Sequence, residues 1–350
     1  MTMPDGAAPN GAPPLALTMG DPAGIGLEIT LKAWLQRQEA NLAPFCLYGS
    51  ATALQARASE LGLTVPIVCI DHPSAAVASF ARALPVLDIE LQGTVIAGQP
   101  SVQNSAAVIA SIERAVEHAA AGHVRAVVTN PIAKSVLYSA GFPHPGHTEY
   151  LAELSRMLWP GKAHHAVMML ACDELKAVPL TIHVPLKSVP VLITRDLLMT
   201  TARVTVESLR RDFGIAAPRI AVAGLNPHAG ESGSIGLEDR DIIAPAIQEL
   251  AREGLRISGP HPADTLFHAA ARATYDAALC MYHDQALIPV KTLAFDSGVN
   301  VTLGLPFVRT SPDHGTAFDI AAKGIASPQS LIEALKLADQ MARQRAKANA

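Results

Sequence analysis

The chain has 350 residues, 49% of them hydrophobic and 17% charged, with a formal net charge of −4. That is enough apolar material for one large α/β domain or two medium ones, and no Lys/Arg run or basic stripe exists to bind nucleic acid. No apolar run reaches the roughly 18 residues of a membrane-spanning helix, and Cys46, Cys69, Cys172 and Cys280 form no CxxC pair for a zinc finger or a thioredoxin-type site.

Only 4% of the residues are aromatic, so the core must draw on Ala, Val, Ile and Leu, as suits a sheet buried between helix layers. Reduced thiols in the cytoplasm are expected. The opening MTMPDGAAPNGAPP lacks a basic n-region and an apolar h-region. Residues 1–14 are therefore expected to be a disordered tail and not a secretory signal.

After the tail, strand-like and helix-like runs alternate. Strands are expected at LALTM, FCLYG, PIVCI, RAVVTN, HAVMML, VPLTIHV, RIAVAGLN, LCMYH and VNVTLGL. The first leads into TMGDPAGIGLEI, residues 18–29, read as strand, glycine turn and helix. Gly20, Gly24 and Gly26 fit neither GxGxxG nor GxxxxGK[ST]. What remains is a tight turn that lets a ligand approach the backbone and the helix start closely, a weak signal alone because glycines are ordinary in βα turns.

In SAAVIASIERAVEHAAAG, Ile109, Ile112 and Val116 share one helical face and Gly122 is the stop. GHTEY places His147 and Thr148 just before a helix, either as an anion site or as an ordinary cap. TRDLLMTTARVTVESLRRDFG and EDRDIIAPAIQELAREG are further helices, and Pro245 bends or delays the second. SPQSLIEALKLADQMARQRAK closes the chain as a helix with a serine cap. Such alternation predicts βαβ units and a largely parallel sheet, arranged as two lobes with a cleft.

Three segments share a design. His183 ends the apolar strand of LTIHVPL, His228 lies in the turn after AVAGLN, and His283 ends LCMYH. In parallel α/β folds the carboxyl ends of strands converge on the ligand crevice, so the three can meet in space. Three imidazoles leave coordination positions open, as a catalytic metal needs. Such a shell favours zinc, cobalt or nickel over magnesium, with Asp284 as an outer ligand. The bland reading is three unrelated histidines in a chain that has 13. Around His283 gather Lys291, Asn300 and Arg309. Arg309 sits in GLPFVRTSPDHG, read as a Pro/Gly-punctuated loop from which a guanidinium fork can reach a phosphate or carboxylate.

Taken together, TMGDPAGIGLEI, GHTEYLAE, TIHVPL, GLNPHAGE, GPHPADTLF, MYHDQALIPVK and VNVTLGLPFVRTSPDHGTAFDIA resemble, in order, the 4-hydroxythreonine-4-phosphate dehydrogenase family of vitamin B6 biosynthesis. The match runs from about Leu15 to the last helix. It implies an isocitrate/isopropylmalate dehydrogenase-like fold, two α/β/α lobes around a cleft. By this analogy one lobe covers 15–135 with 300–350, and the other covers 136–299 with the metal ligands and dimer interface. It implies one divalent metal (Zn, Co or Mg) on His183, His228 and His283, and a phosphorylated hydroxy-amino-acid substrate on His147, Thr148, Lys291, Asn300 and Arg309. NAD or NADP is the implied oxidant, with His314 and Gly315 in the loop DHGTAFDIAAKGIASP that is similar to the adenosine-side loop of those cousins. A homodimer with shared sites is also implied, as are oxidation at the 3-hydroxyl and decarboxylation to 3-amino-2-oxopropyl phosphate. Asp264 and Asp284 are the candidate bases.

Departures from the family pattern are Leu27, where proline is usual, Ala322, where glycine is usual, and a longer RMLWPGKAHH segment. A dehydrogenase of 4-phosphoerythronate or 4-phosphothreonate on the same scaffold is the nearest alternative. A three-histidine metallohydrolase and a phosphometabolite-binding protein stand further off.

Overall fold

The computed structural model describes residues 11–144, 147–161 and 165–348, without the side chains of 147 and 148. Most of the expected tail, residues 1–10, lies outside them, as do 162–164 of the RMLWPGKAHH segment. The strands are β1 (Leu15–Thr18), β2 (Phe45–Gly49), β3 (Ile67–Cys69), β4 (Leu84–Asp88), β5 (Ala126–Thr129), β6 (Val167–Ala171), β7 (Lys176–Thr181), β8 (Arg219–Ala223), β9 (Arg256–His261), β10 (Ala277–Tyr282), β11 (Val299–Leu303) and β12 (Arg309–Pro312). Among the described residues no helix is long and apolar enough to cross a membrane.

The chain divides into two compact units, Met1–His164 with Leu305–Ala342, and His165–Gly304 with Arg343–Ala350. The approximate boundary at 135 that the resemblance implies lies earlier in the chain than this division. In the structure the helix His147–Leu158 stays with the first unit, where the Tyr150 hydroxyl donates to Glu113 Oε1 at 2.6 Å on the helix Ser105–Ala120.

In the first unit the strand order is β3-β4-β2-β1-β5-β12, and all five neighbouring pairs are parallel. Parallel sheets need both faces covered, and β1, β2 and β5 are buried along their whole length. The helix Ser105–Ala120 turns Ala107, Val108, Ile112, Ala115 and Val116 inward. The face expected from the sequence is rotated slightly, because Ile109 is only half-buried. Gly122 follows at φ 74°, the left-handed turn that glycine takes without strain.

In the second unit the order is β11-β6-β7-β10-β8-β9. The largely parallel character expected from the sequence holds with one exception here, since β6 runs antiparallel to both β7 and β11. Four residues, 172–175, join β6 to β7, which is short enough for a hairpin and too short for a crossover helix. The strands β7, β10, β8 and β9 are parallel neighbours. The helix Arg195–Phe213 starts on the Thr194 side chain, which accepts from Leu197 N, and stops at Gly214 with φ 70°. Pro245 sits at the start of the helix Ala244–Arg252, after a wide turn at Asp239–Ile243, because a proline is tolerated in the first helical turn. Arg345 forks the buried Asp212 with contacts of 2.7 and 2.8 Å, fastening the end of the last helix to this unit.

Candidate active site

Three parallel strands of the second unit set up the site. β10 lies between β7 and β8, with Tyr282 opposite Thr181 and Ala277 opposite Ile220. All three strands end on the same side of the sheet, and each is followed closely by one of the singled-out histidines. His183 is the second residue after β7, His283 comes directly after β10, and His228 lies in the turn beyond β8.

His183 and His283 come together, with ring centroids 5.5 Å apart and planes inclined at 42°. They line a recess of about 270 Å³ with Thr181, Tyr282 and Asp284. Two imidazole nitrogens bound at about 2.0–2.1 Å to one tetrahedral ion put their centroids roughly 5 Å apart. The pair therefore fits a shared divalent ion. His283 Nδ1 lies 2.7 Å from Asp284 Oδ1, an arrangement that fixes the tautomer and leaves Nε2 for a ligand. His283 also opens the helix His283–Leu293, so the chain does not return to a strand after the His-Asp pair. Gln285 secures this corner, its Oε1 accepting from Met281 N at 2.7 Å and its Nε2 donating to Gly224 O at 2.8 Å.

His228 is placed differently. It begins a run of left-handed backbone, with φ 52° at His228, 53° at Ala229, 77° at Gly230, 43° at Glu231 and 59° at Ser232. L-residues enter that region at a cost of roughly 1–2 kcal/mol each, so the turn must be held from outside. The buried Asp239 does this by accepting from Leu225 N at 2.8 Å and from Asn226 N at 3.0 Å. His183 is left-handed too, at φ 45°, and strain of this kind gathers where a side chain must be aimed. Among the described residues no three metal-ligating side chains stand close enough to hold one ion. One chain thus presents His183 and His283 as a pair, and His228 outside it.

Lys291 lies on the helix His283–Leu293 with its ammonium 5.5 Å from the Phe295 ring centroid. Asn300 is in β11, opposite Leu170 of β6. Asp264 is exposed in the short turn Ala263–Thr265. The remaining substrate candidates belong to the first unit. His147 and Thr148 open the helix His147–Leu158 and do not precede it, and their side chains lie outside the described residues. Arg309 corrects the loop reading, for it opens β12 and is 3% exposed. Its Nη2 donates to Thr129 Oγ1 at 2.6 Å. Burial pushes the guanidinium down to about 10, so it stays charged at neutral pH.

The glycine turn also differs from expectation. Residues 21–30 are all buried, and the backbone they offer is used by the chain itself. Asp21 N donates to Pro131 O at 2.9 Å and Ile25 N to Thr316 O at 3.0 Å. A Cβ on Gly24 would stand 2.8 Å from Thr316 O, so the close approach that glycine permits is that of residue 316 and not of a ligand. The open backbone lies in the partner loop instead. Gly315 is exposed, and a Cβ there would meet nothing within 4 Å. Beside it His314 Nδ1–H donates to Gly315 O at 3.1 Å. The imidazole and the exposed glycine backbone beside it offer hydrogen-bonding groups to a ligand.

Sequence reasoning missed Asp239, Gln285 and Thr129, which hold candidate site residues or their turns. Asp239 carries a signal in hindsight, as an acid 15 residues after a strand-end glycine, but nothing local ties it to Leu225 and Asn226.

Comparison with known proteins bears on this site. A family model described as "Pyridoxal phosphate biosynthetic protein PdxA" matches residues 41–338. A protein of Methylorubrum populi named 4-hydroxythreonine-4-phosphate dehydrogenase is 57% identical over 332 residues, covering 94% of each chain. One of the same name from Bradyrhizobium diazoefficiens is 54% identical over 343 residues, covering 96% of this chain and 99% of its own. The crystal structure of 4-hydroxythreonine-4-phosphate dehydrogenase from Klebsiella pneumoniae superposes with a TM-score of 0.81 at 37% identity, covering 95% of this chain and all of the other.

Proposed function

Because the chain belongs to the PdxA family of pyridoxal phosphate biosynthetic proteins, we propose that it oxidises 4-phosphooxy-L-threonine at the 3-hydroxyl, with NAD or NADP as oxidant. Removal of hydride and of the hydroxyl proton leaves a ketone β to the carboxylate. Loss of CO2 from that β-keto acid gives 3-amino-2-oxopropyl phosphate. The observation that carries this reading is the His183–His283 pair at the ends of adjacent parallel strands. A divalent ion on that pair, with His228 as third ligand, would supply Lewis acidity toward the 3-hydroxyl, and the nicotinamide would take the hydride.

The chain's own residues do the rest. Asp284 orients His283. Lys291 and Arg309 neutralise phosphate and carboxylate, and Asn300, His147 and Thr148 complete the polar contacts. His314 and Gly315 receive the adenosine side of the cofactor. The carboxylates of Asp264 and Asp284 are the candidate bases for the hydroxyl proton.

The active form is a homodimer with shared sites. One chain leaves the three-ligand set open among its described residues. The segments carrying His183 and His283 also expose Leu186 (68%), Val191 (82%), Ile288 (63%) and Phe295 (75%), apolar side chains that a second subunit would cover. The four cysteines are unpaired, as suits work in the cytoplasm.

Substrate choice is tested by turnover on 4-phosphooxy-L-threonine, 4-phosphoerythronate and 4-phosphothreonate in parallel. The reading predicts the highest kcat/KM for the first, with CO2 released in step with reduced nicotinamide. A preference for either of the others keeps the chemistry and rejects the substrate.

A further inference from the structure

A closed ring of polar contacts ties the helix Gly26–Leu35 to the far end of the chain. Lys32 Nζ donates to Glu28 Oε1 at 2.8 Å, to Gly324 O at 2.9 Å and to Ala326 O at 2.7 Å. Glu28 Oε1 in turn accepts from Ala326 N at 3.1 Å. All three ammonium hydrogens are used, and Ala326 is gripped through both its N–H and its carbonyl. Glu28 is fully buried and the Lys32 side chain is 19% exposed. Placing a carboxylate there is costly unless its partners are fixed, so the ring holds what it touches.

What it touches is the end of the loop that begins near Asp313. The other end is held where Asp313 N donates to Ser330 Oγ at 3.1 Å, and a further hold follows where Ile25 N donates to Thr316 O. Between these anchors two alanines adopt left-handed backbone, Ala317 at φ 44° and Ala322 at φ 58°. A non-glycine residue stays in that region only where its surroundings over-determine it. The same stretch holds His314 and the open Gly315. A strained loop, pinned at both ends and open at Gly315, is built to be pre-formed for a ligand.

We propose that Glu28 and Lys32 are positioning residues for the nicotinamide cofactor, holding residues 313–326 in the form that receives it. This rests on the cofactor reading given above for His314 and Gly315. Neither residue touches the cofactor; both act through the loop.

The test uses the full chain with Lys32→Met and Glu28→Gln. Hydrogen exchange of residues 313–326 reads the clamp, and calorimetric titration with NAD or NADP, without substrate, reads the consequence. Lys32→Met should speed exchange in the loop and weaken nucleotide binding by about tenfold, raising KM for the nucleotide but leaving KM for the phosphorylated substrate within about twofold. Glu28→Gln keeps an acceptor for Ala326 N and should shift both readouts the same way by less, so it carries the test should Lys32→Met fail to fold. Lys32→Arg should restore part of the affinity. Unchanged loop exchange in both variants overturns the clamp. Faster exchange with unchanged nucleotide affinity overturns the positioning role alone. Wild-type protein that binds neither nucleotide, with the clamp intact by exchange, overturns the cofactor reading and this proposal with it.

Discussion

The imidazoles of His183 and His283 face each other with centroids 5.5 Å apart, although 100 residues separate them in the chain. The cause is topological. β7 and β10 are hydrogen-bonded parallel neighbours, with Thr181 opposite Tyr282 and the Thr181 hydroxyl donating to Met281 O at 2.8 Å. Two chains of residues leaving such strand ends begin side by side. Replacing His283 with alanine should therefore lower divalent-metal affinity and turnover together. Asp284→Ala, which removes the partner of His283 Nδ1, should lower metal affinity by about 10–100-fold. Metal content by elemental analysis after dialysis checks both. Wild-type metal content with full activity in His283→Ala would reject the assignment.

Arg309 is a buried cation whose Nη2 donates to Thr129 Oγ1. A charged hydrogen bond to a substrate oxyanion is worth about 1.5–3 kcal/mol. Arg309→Lys keeps the charge and loses the fork, so KM for the phosphorylated substrate should rise by roughly 10–100-fold on that scale. Initial rates at saturating nucleotide measure it. An unchanged KM would remove Arg309 from the substrate site.

Ala322 pays for a left-handed backbone that glycine adopts freely, at φ 58°. Ala322→Gly relieves that strain and gives back part of it as extra freedom in the unfolded chain. The balance should stabilise the protein by roughly 0.5–1 kcal/mol. The check is a rise in the denaturation midpoint. A fall would mean that the methyl group is held favourably by its surroundings.

His118 stands in a cluster with His72 and His123, its ring centroid 6.0 and 5.5 Å from theirs, and its Nδ1 is 2.8 Å from the Tyr48 hydroxyl. Burial lowers its pKa first, and the charges of His123, His72 and Arg114 lower it further. The folded state thus prefers the neutral ring. The unfolded chain binds the proton more readily below its ordinary value of 6.5, so the stability from the neutral ring is present above that value and is lost as pH falls through the folded pKa. The melting temperature should drop between pH 7.5 and 5.5, and His118→Asn should flatten that slope. An equal slope in the variant would assign the dependence to other groups.

The histidine-bearing strand ends were legible because apolar β-runs followed at once by a polar ligand type are a strong local pattern. The strands that escaped were those whose own residues argue against a strand. RTSP in β12 is polar, RISGPH in β9 contains Gly-Pro, and LPVLD in β4 contains a proline. Their places are set by neighbours, as β12 is by β5. For that reason Arg309 read as a loop residue and proved to be a buried strand residue. The glycine turn was visible as a turn, but its occupant was not, because Thr316 is nearly 300 positions away in the chain. Glu28 and Lys32 are legible as an i, i+4 helix pair; their hold on Ala326 is not.

The most direct measurement follows absorbance of reduced nicotinamide when metal-replete protein meets 4-phosphooxy-L-threonine and NAD or NADP, with and without a chelator. A rise that the chelator abolishes and added metal restores is the predicted result. No rise with either nucleotide, or a rise indifferent to the chelator, would contradict a metal-dependent dehydrogenase built on His183 and His283.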